Sequence, residues 1–531
     1  MGNKSFFKDT DIYKLTARMV VFVVLMIALC RLTRGYIMPL YAFIGACCAF
    51  TNHLGWSLVF FVLMPFFAVL NPILVGNASS LYIHSLRFGS LLIGVILALH
   101  GASRQGQHRL PFIGMIPFLM VAAISSADGW APLVSYMKLI NFVVFLVGIW
   151  YGTQNLDQRP KDVLLLRSMF LALSCFVIFG SVATIAVPSV GYAMNLRNAM
   201  LEGGAEYAAE VLRELRTSDA VTLFCGVTNH SQTLGVFAPI VAAYTLSDML
   251  FLERRFRWLH VAVIVLALPL CYMSRSRVGL LSMMTALAAV GFYAAHRIPL
   301  PTAVKHRLNN AVWAGIGMVL LVAVVAQLTS GTMSKWLRKT GDTEGDNRSL
   351  GEAVTSSRMG LIEQSMYEFR RRPLLGMGFQ VAEYTQDFVA RQKGLVLSAP
   401  IEKGVTPVMV LGETGIIGEF FFLVFLGTFY GVCTRRKYYV TVSLFSVFLV
   451  ANLAESTFFS PSGDGGFQWI MCVVGGFTID TYLLFRRQLE QQWASMGFQM
   501  TVPAFELVED ASGRRRLVES RSMVRRYGLK G

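Results

Sequence analysis

The chain reads as an all-α, polytopic integral membrane protein with about 12–14 transmembrane helices and two long loops on one side of the bilayer. Three observations predict this. First, 55% of the 531 residues are apolar and only 15% are charged, whereas a soluble domain carries about 25% charged residues. Second, the apolar residues come in blocks of roughly 20, the length that spans hydrocarbon as a helix. Third, the Lys and Arg that make the net charge +16 flank those blocks, as in membrane proteins whose positive loops stay inside. The same charge excludes nothing by itself, but its placement argues against a nucleic-acid partner. Helices are chosen over strands because lipid offers backbone groups no partner outside the segment.

The blocks follow in order. An N-terminal membrane unit, 1–187, holds apolar stretches at 18–31, 36–51, 56–76, 82–100, 111–126, 131–152 and 164–187. A loop over 188–229 follows, with an amphipathic pattern AEYAAEVLRELR at 205–216. The unit 230–329 holds stretches at 230–252, 259–274, 278–296 and 311–329. A second loop spans 330–404, with a helix pattern MGLIEQSMYEFRRR ended by Pro373. Stretches at 405–433, 438–457 and 467–485 close the membrane part, and 486–531 is a basic tail suited to anionic lipid or to partial disorder.

Orientation follows from the short loops. Arg104 and Arg109, Arg159 and Lys161, Arg254, Arg255 and Arg257, then Arg297, Lys305 and Arg307, then Arg435, Arg436 and Lys437 fall in one alternate set. Lys4, Lys8, Lys14 and the tail join that set, so both termini are expected in the cytoplasm of a bacterial inner membrane. No cleavable signal peptide is read at the start. The eight cysteines lie mostly inside apolar blocks and form no spaced metal motif, so they read as small buried residues.

Two motifs fail on inspection. Asp9-Thr10-Asp11 resembles a metal-binding acid pair but lies on the cytoplasmic side. Asp342-Thr343-Glu344-Gly345-Asp346-Asn347 starts like a calcium loop, but its glycine position is Asn347 and its twelfth position is Ala353. No P-loop, dinucleotide fingerprint or zinc spacing occurs, so no metal and no cofactor is expected.

Four constellations point to chemistry at the long-loop face. SRSR at 274–277 places Arg275 and Arg277 in a tight turn between two spans. An arginine at a membrane boundary is costly and marks a functional site, and guanidinium suits phosphate or pyrophosphate because its planar donors grip two oxygens. In TSSRMGLIEQSMYEFRRRPLLGMGF, 355–379, Arg358 is expected to open a helix that Arg370, Arg371 and Arg372 close. A cation at a helix N-terminus opposes the dipole, which gives Arg358 an anionic partner. Gly376-Met377-Gly378 suits a tight turn or a close backbone approach. TNHSQTLG, 228–235, brings His230 and Gln232 to the same face. IEKGVTPVMVLGETGIIGEF, 401–420, sets Glu402 and Lys403 before a span and Glu413 inside it, where an ionisable group needs a partner. A carboxylate at the interface with a raised pKa could serve as general base toward a sugar hydroxyl. Lys138, Arg87 and Glu455 read as ion-pair partners at the same level.

The series HxQxLG, SR before an apolar run, SSR…RRPLLGMGF, and LGETGIIG opening a span resembles the O-antigen ligase and Wzy-type O-antigen and exopolysaccharide polymerase superfamily. The similarity covers about 220–430; the N-terminal spans share only hydrophobicity. The resemblance implies a metal-independent glycosyltransferase at the periplasmic face, acting on a glycan carried by undecaprenyl pyrophosphate. It assigns pyrophosphate binding to Arg277 and Arg358, with Arg275 a neighbour that could share the role; Gln232, Lys403 and Glu413 are expected as supporting residues from their own positions. A polysaccharide chain-length regulator or export proteins would be its partners. The chain departs from the family at one place. A His-Asn pair about nine residues before the Glu of ExGxxG is replaced by Gly404-Val405, so the base falls to Glu402 or to His230. Polymerisation of lipid-linked repeat units is favoured, with ligation to lipid A core or another acceptor as the near alternative. A polysaccharide transporter or flippase, which would place charges near mid-membrane and repeat its halves, is the alternative of another class.

Overall fold

The computed structural model describes residues 9–76, 80–103, 110–192, 223–252, 258–298, 306, 310, 350–391, 404–453, 455–461, 463–495, 505–509 and 515–519. Helices α1 (Asp9–Leu32), α2 (Met38–Phe50), α3 (Leu54–Ala68), α4 (Pro72–Val75), α5 (Ser80–Ala102), α6 (Ile116–Ala127), α7 (Pro132–Gly152), α8 (Pro160–Ile185) and α9 (Pro188–Gly191) come first. Then follow α10 (Ser231–Phe251), α11 (Trp258–Met273) and α12 (Arg277–Ala286), the last extended by a π-helical stretch Leu287–Ala294. Helices α13 (Leu350–Arg371), α14 (Glu383–Arg391), α15 (Thr406–Arg435), α16 (Tyr439–Ala451), α17 (Asp464–Trp469) and α18 (Gly475–Ser495) complete the set. Proline sits in the first turn of α2, α4, α6, α7, α8, α9 and α15, where its missing N–H costs nothing and its φ is already helical.

Seven of the described helices are long and apolar enough to cross a membrane, and six shorter apolar ones accompany them. The protein is an all-α polytopic membrane protein. Each predicted stretch except 311–329, which lies outside the described residues, coincides with a helix. The amphipathic pattern at 205–216 and the 342–347 run also lie outside them. The tail departs from expectation: α18 continues to Ser495, and Phe505–Glu509 (β1) pairs antiparallel with Arg515–Glu519 (β2). The two strands pair in register from Phe505 opposite Glu519 to Glu509 opposite Arg515.

Helix α10 is buried along almost its whole length, from Ser231 to Asp248, and the stretch Trp469–Val474 is buried on all sides. These two form the centre. Around them α1, α2, α5, α6, α11 and α15 expose Leu25, Phe43, Leu99, Met120, Val265 and Phe420. Such residues would promote aggregation in water but match acyl chains. Cys47, on α2, shares that exposure, whereas six of the other cysteines are buried. Lipid supplies no hydrophobic drive between helices, so close packing must hold them. An aromatic cluster of Phe118, Phe142, Phe379, Phe458, Phe459 and Trp469, with ring centroids 4.9–6.4 Å apart, fills the space between α6, α7, α16 and α17.

Contacts sort the connections into two ends. At one, 69–71 pairs with 227–229, Gly129 touches 377–378, and Thr233 bonds Asp464; this is the long-loop end. At the other, Arg159 bonds Asn52, Gly55 meets Asp162, and Tyr13 packs on His260; this is the terminal end. The candidate residues read from the sequence gather at the long-loop face, but the structure adds a buried ionic cluster near the terminal end. Arg167 of α8 grips Asp248 of α10 with two nitrogens, at 2.6 and 3.0 Å, and His260 Nε2 of α11 lies 3.0 Å from the same carboxylate. Arg167 also lies over the Tyr482 ring. Nearby, Asp480 of α18 accepts from the backbone N–H groups of Val440 and Thr441 and from the Thr441 hydroxyl, capping α16.

Candidate functional site

The first long loop re-enters the bundle by backbone pairing. Asn71 N donates to Val227 O at 2.8 Å and Asn229 N donates to Val69 O at 2.8 Å, with Leu70 facing Thr228 in an antiparallel bridge. This short pairing delivers His230 to the start of α10. His230 is the N-cap: its Nδ1 accepts from Gln232 N at 3.1 Å. That bond fixes the chemistry of the ring. A neutral imidazole accepting at Nδ1 carries its proton on Nε2, so it can donate there but cannot take a second proton without becoming charged and losing the cap. The cap thus occupies the nitrogen with which a neutral His230 would take up a proton. Glu402 and Lys403 lie outside the described residues.

The SRSR turn is as tight as expected. Helix α11 ends at Met273, α12 begins at Arg277, and Arg275 takes a left-handed φ of +52°. Ser276 caps α12 by accepting from Gly279 N at 3.1 Å, and Ser274 Oγ donates to Cys271 O at 2.8 Å. The serines thus hold the turn and the arginines are carried by it. Gly235 is what admits the turn to α10: a Cβ there would overlap Ser276, and one on Gly279 would overlap the Gly235 carbonyl. The HSQTLG and SRSR motifs, 40 residues apart in the chain, thereby meet at the long-loop end. Arg275 is 6% exposed, Arg277 half-buried. Burial draws the Arg275 guanidinium below its ordinary value, with Tyr272 opposing that shift; it stays charged at neutral pH.

One group at this end escaped the sequence reading. Asp464, in the first turn of α17, accepts from Thr233 Oγ1 at 2.7 Å. Thr233 lies in the first turn of α10 beside Gln232, so the contact adds a carboxylate to the His230–Gln232 level. Its only signal in the sequence is the surrounding SGDGG, which reads as a loop.

The second loop docks differently from expectation. Helix α13 starts at Leu350, so Arg358 lies two turns inside it and not at its N-terminus; the dipole reason for an anionic partner no longer applies. The helix does end at Arg371, before Pro373. The chain then enters a notch in α15. Gly415 is non-helical inside α15, with φ +66° and ψ −171°, a region open essentially to glycine alone. The break frees backbone groups for the incoming segment. Ile416 N donates to Pro373 O at 2.9 Å, Met377 N to Gly412 O at 3.1 Å, and Gly378 N to Glu413 O at 3.0 Å. Gly376 has φ +69°, and a Cβ there would overlap the Glu413 backbone.

On its other side the segment meets serines of α6 and α7. Ser125 Oγ donates to Glu413 O at 2.5 Å and lies 3.0 Å from Gly378 N. Phe379 N lies 3.4 Å from Ser126 Oγ, and Ser135 Oγ lies 2.7 Å from both Ser126 Oγ and Phe379 O. Lys138 Nζ donates to Gln380 O at 2.9 Å, which ties α7 to the incoming segment. PLLGMGF and LGETGIIG are therefore two halves of one joint, and non-helical backbone is tolerated there because protein encloses it. Glu413 is 1% exposed, and its carbonyl is the hub of the joint. Glu368 of α13 is also fully buried, its Oε2 lying 3.3 Å from where a Gly412 Cβ would sit.

His230, Gln232, Arg275 and Arg277 are thus held on one substructure. Glu413 belongs to the neighbouring joint, and Arg358 is described only as backbone of α13. No protein-family model matches the chain, and no curated protein matches it.

Proposed function

We propose that the chain is a glycosyltransferase of the O-antigen ligase and polymerase type, which joins lipid-linked oligosaccharide repeat units at the periplasmic face of a bacterial inner membrane. The observation that carries this is the docking of the SRSR turn on the first turns of α10 through Gly235 and Gly279. It gives two arginines a fixed, largely buried seat at a membrane boundary. Fixed cations cost no reorganisation when charge develops on a leaving group. In the reaction an acceptor hydroxyl oxygen attacks the anomeric carbon of the donor sugar. The bond from that carbon to the diphosphate oxygen breaks, and undecaprenyl pyrophosphate leaves with the bonding electrons. Arg275, Arg277 and Arg358 would neutralise it, while Glu402 takes the hydroxyl proton. Gln232 and Lys403 would orient the sugars, and Glu413 supports them by holding the loop joint together.

Transport is the second reading, favoured by the ionic cluster of Arg167, Asp248 and His260 inside the bundle. Every partner there is already engaged with another, which suits a strut better than an ion path.

The test is complementation of a strain deleted for the gene, with wild type, Arg277→Ala and Arg358→Ala at matched protein levels, followed by analysis of surface and lipid-linked glycan. Single lipid-linked repeat units would accumulate in the variants if the chain polymerises, and full-length lipid-linked chains if it ligates. Normal glycan from both variants would overturn the arginine mechanism and bring transport forward.

A further inference from the structure

Three consecutive arginines, Arg370 and Arg371 in the last turn of α13 and Arg372 just beyond it, are all exposed. Cations at a helix C-terminus complement its dipole, but one would suffice, and the remaining two are held by specific contacts. Arg371 lies between two aromatic rings, its Cζ 5.2 Å from the Trp130 centroid and 4.9 Å from that of Tyr367, with Glu383 at 3.8 Å. Arg372 Nη1 donates to Asp128 O at 2.8 Å, with the Asp128 carboxylate at 3.9 Å. These contacts orient the guanidinium groups without covering them. Arg370 has no charged or hydrogen-bonding partner among the described residues.

An apolar strip begins immediately after the arginines. Leu374 is 61% exposed, and Leu375 follows it. Backbone bonds from Ile416 and Ile417 to Pro373 and Leu374 hold these leucines against α15. The strip continues along α15 through Ile416, Phe420 and Leu423, each more than half exposed. From Ile416 to Leu423 a helix advances about 10 Å, which carries the strip from the boundary into the acyl region. The surface therefore pairs a cationic head with an apolar track, flanked by aromatic rings of the kind that sit at headgroup level.

We infer that Arg370, Arg371 and Arg372, with the strip from Leu374 to Leu423, bind one anionic phospholipid of the surrounding bilayer. The phosphodiester lies on the guanidinium fork, which suits its paired oxygens, and one acyl chain lies along Leu374, Ile416 and Phe420. The site is separate from the SRSR turn and rests only on the membrane character of the chain, so it stands or falls independently of glycosyl transfer.

Native mass spectrometry of the full chain in detergent, with added phosphatidylglycerol or phosphatidylcholine, tests it. Wild type should retain one phosphatidylglycerol in preference to phosphatidylcholine. Each arginine near a membrane surface contributes about fivefold in affinity. Arg370→Ala, which breaks no charged or hydrogen-bonded contact among the described residues, should weaken retention by about that factor. The variant with all three replaced by alanine should lose it by more than about fiftyfold. Replacement of all three by lysine keeps the charge and should keep the anionic preference at lower affinity. Equal phosphatidylglycerol retention by wild type and the Arg370→Ala protein, with its thermal transition unchanged, would overturn the proposal. So would equal retention of phosphatidylcholine. Displacement of phosphatidylglycerol by a polyprenyl diphosphate, one for one, would also overturn it and assign the patch to the donor lipid.

Discussion

Replacing Gly415 by alanine should undock the second long loop without unfolding the bundle. The residue sits at φ +66° and ψ −171°, where a side chain costs about 1–3 kcal/mol. The added methyl would also overlap the Leu374 carbonyl. The incoming segment must then retreat, which gives up the bonds from Ile416 N to Pro373 O and from Ile417 N to Leu374 O. Each such bond contributes about 1 kcal/mol net. A combined loss of about 3 kcal/mol raises the undocked population about a hundredfold. Hydrogen exchange in nanodiscs reads this directly. The amides of Met377, Gly378 and Phe379 donate only into the joint, so their exchange should quicken by about that factor while α10 stays protected. Unchanged exchange over 376–380 in a folded Gly415→Ala protein would refute the view that the break in α15 exists to receive the loop.

Two other perturbations follow from the packing. Ser126→Ala removes the acceptor for Phe379 N and one partner of Ser135; a buried amide left unpaired costs about 1–3 kcal/mol, which thermal unfolding in detergent should register as a lowered transition. Asp248→Ala removes the carboxylate that Arg167 grips inside the bundle and should cost about 3–5 kcal/mol, whereas Arg167→Met with Asp248→Leu should recover most of that stability. A double variant no better than the single one would mean that His260 or Tyr482, not the charge, governs this corner.

The helices were legible because hydropathy alone decides them. Predicted stretches such as 131–152 and 259–274 match Pro132–Gly152 and Trp258–Met273 to within one residue at each end. The tight SRSR turn was legible too, since few residues separate its two apolar runs. The loop joint was not. Gly415 sits inside a single predicted stretch, 405–433, and hydropathy cannot distinguish a broken helix from a whole one. Ser125, Ser126 and Ser135 are weakly polar and pass unnoticed in a span, yet their hydroxyls satisfy the segment that reaches them from more than 240 residues away. The pair Arg167 and Asp248 failed for a related reason: a single charge near a span end reads as a boundary residue, and only the fold reveals that each neutralises the other. Asp464 shows the same limit at the site, since its meaning depends on Thr233, 231 residues earlier.

The Arg167–Asp248 bond has a consequence for how the chain is made. The two residues are 81 positions apart, and the connection between α8 and α10 intervenes. At about 5–20 residues per second, α8 leaves the ribosome several seconds before α10. During that interval Arg167 has no carboxylate from α10, and a lone arginine in a span disfavours partition into lipid by about 3 kcal/mol. Helix α8 is apolar enough to bear that cost alone, with a mean hydropathy of 2.2, so it can enter the bilayer first and gain its carboxylate when α10 follows. Loss of Asp248 would then be felt when α10 packs on α8, as a guanidinium that meets no carboxylate from its neighbour.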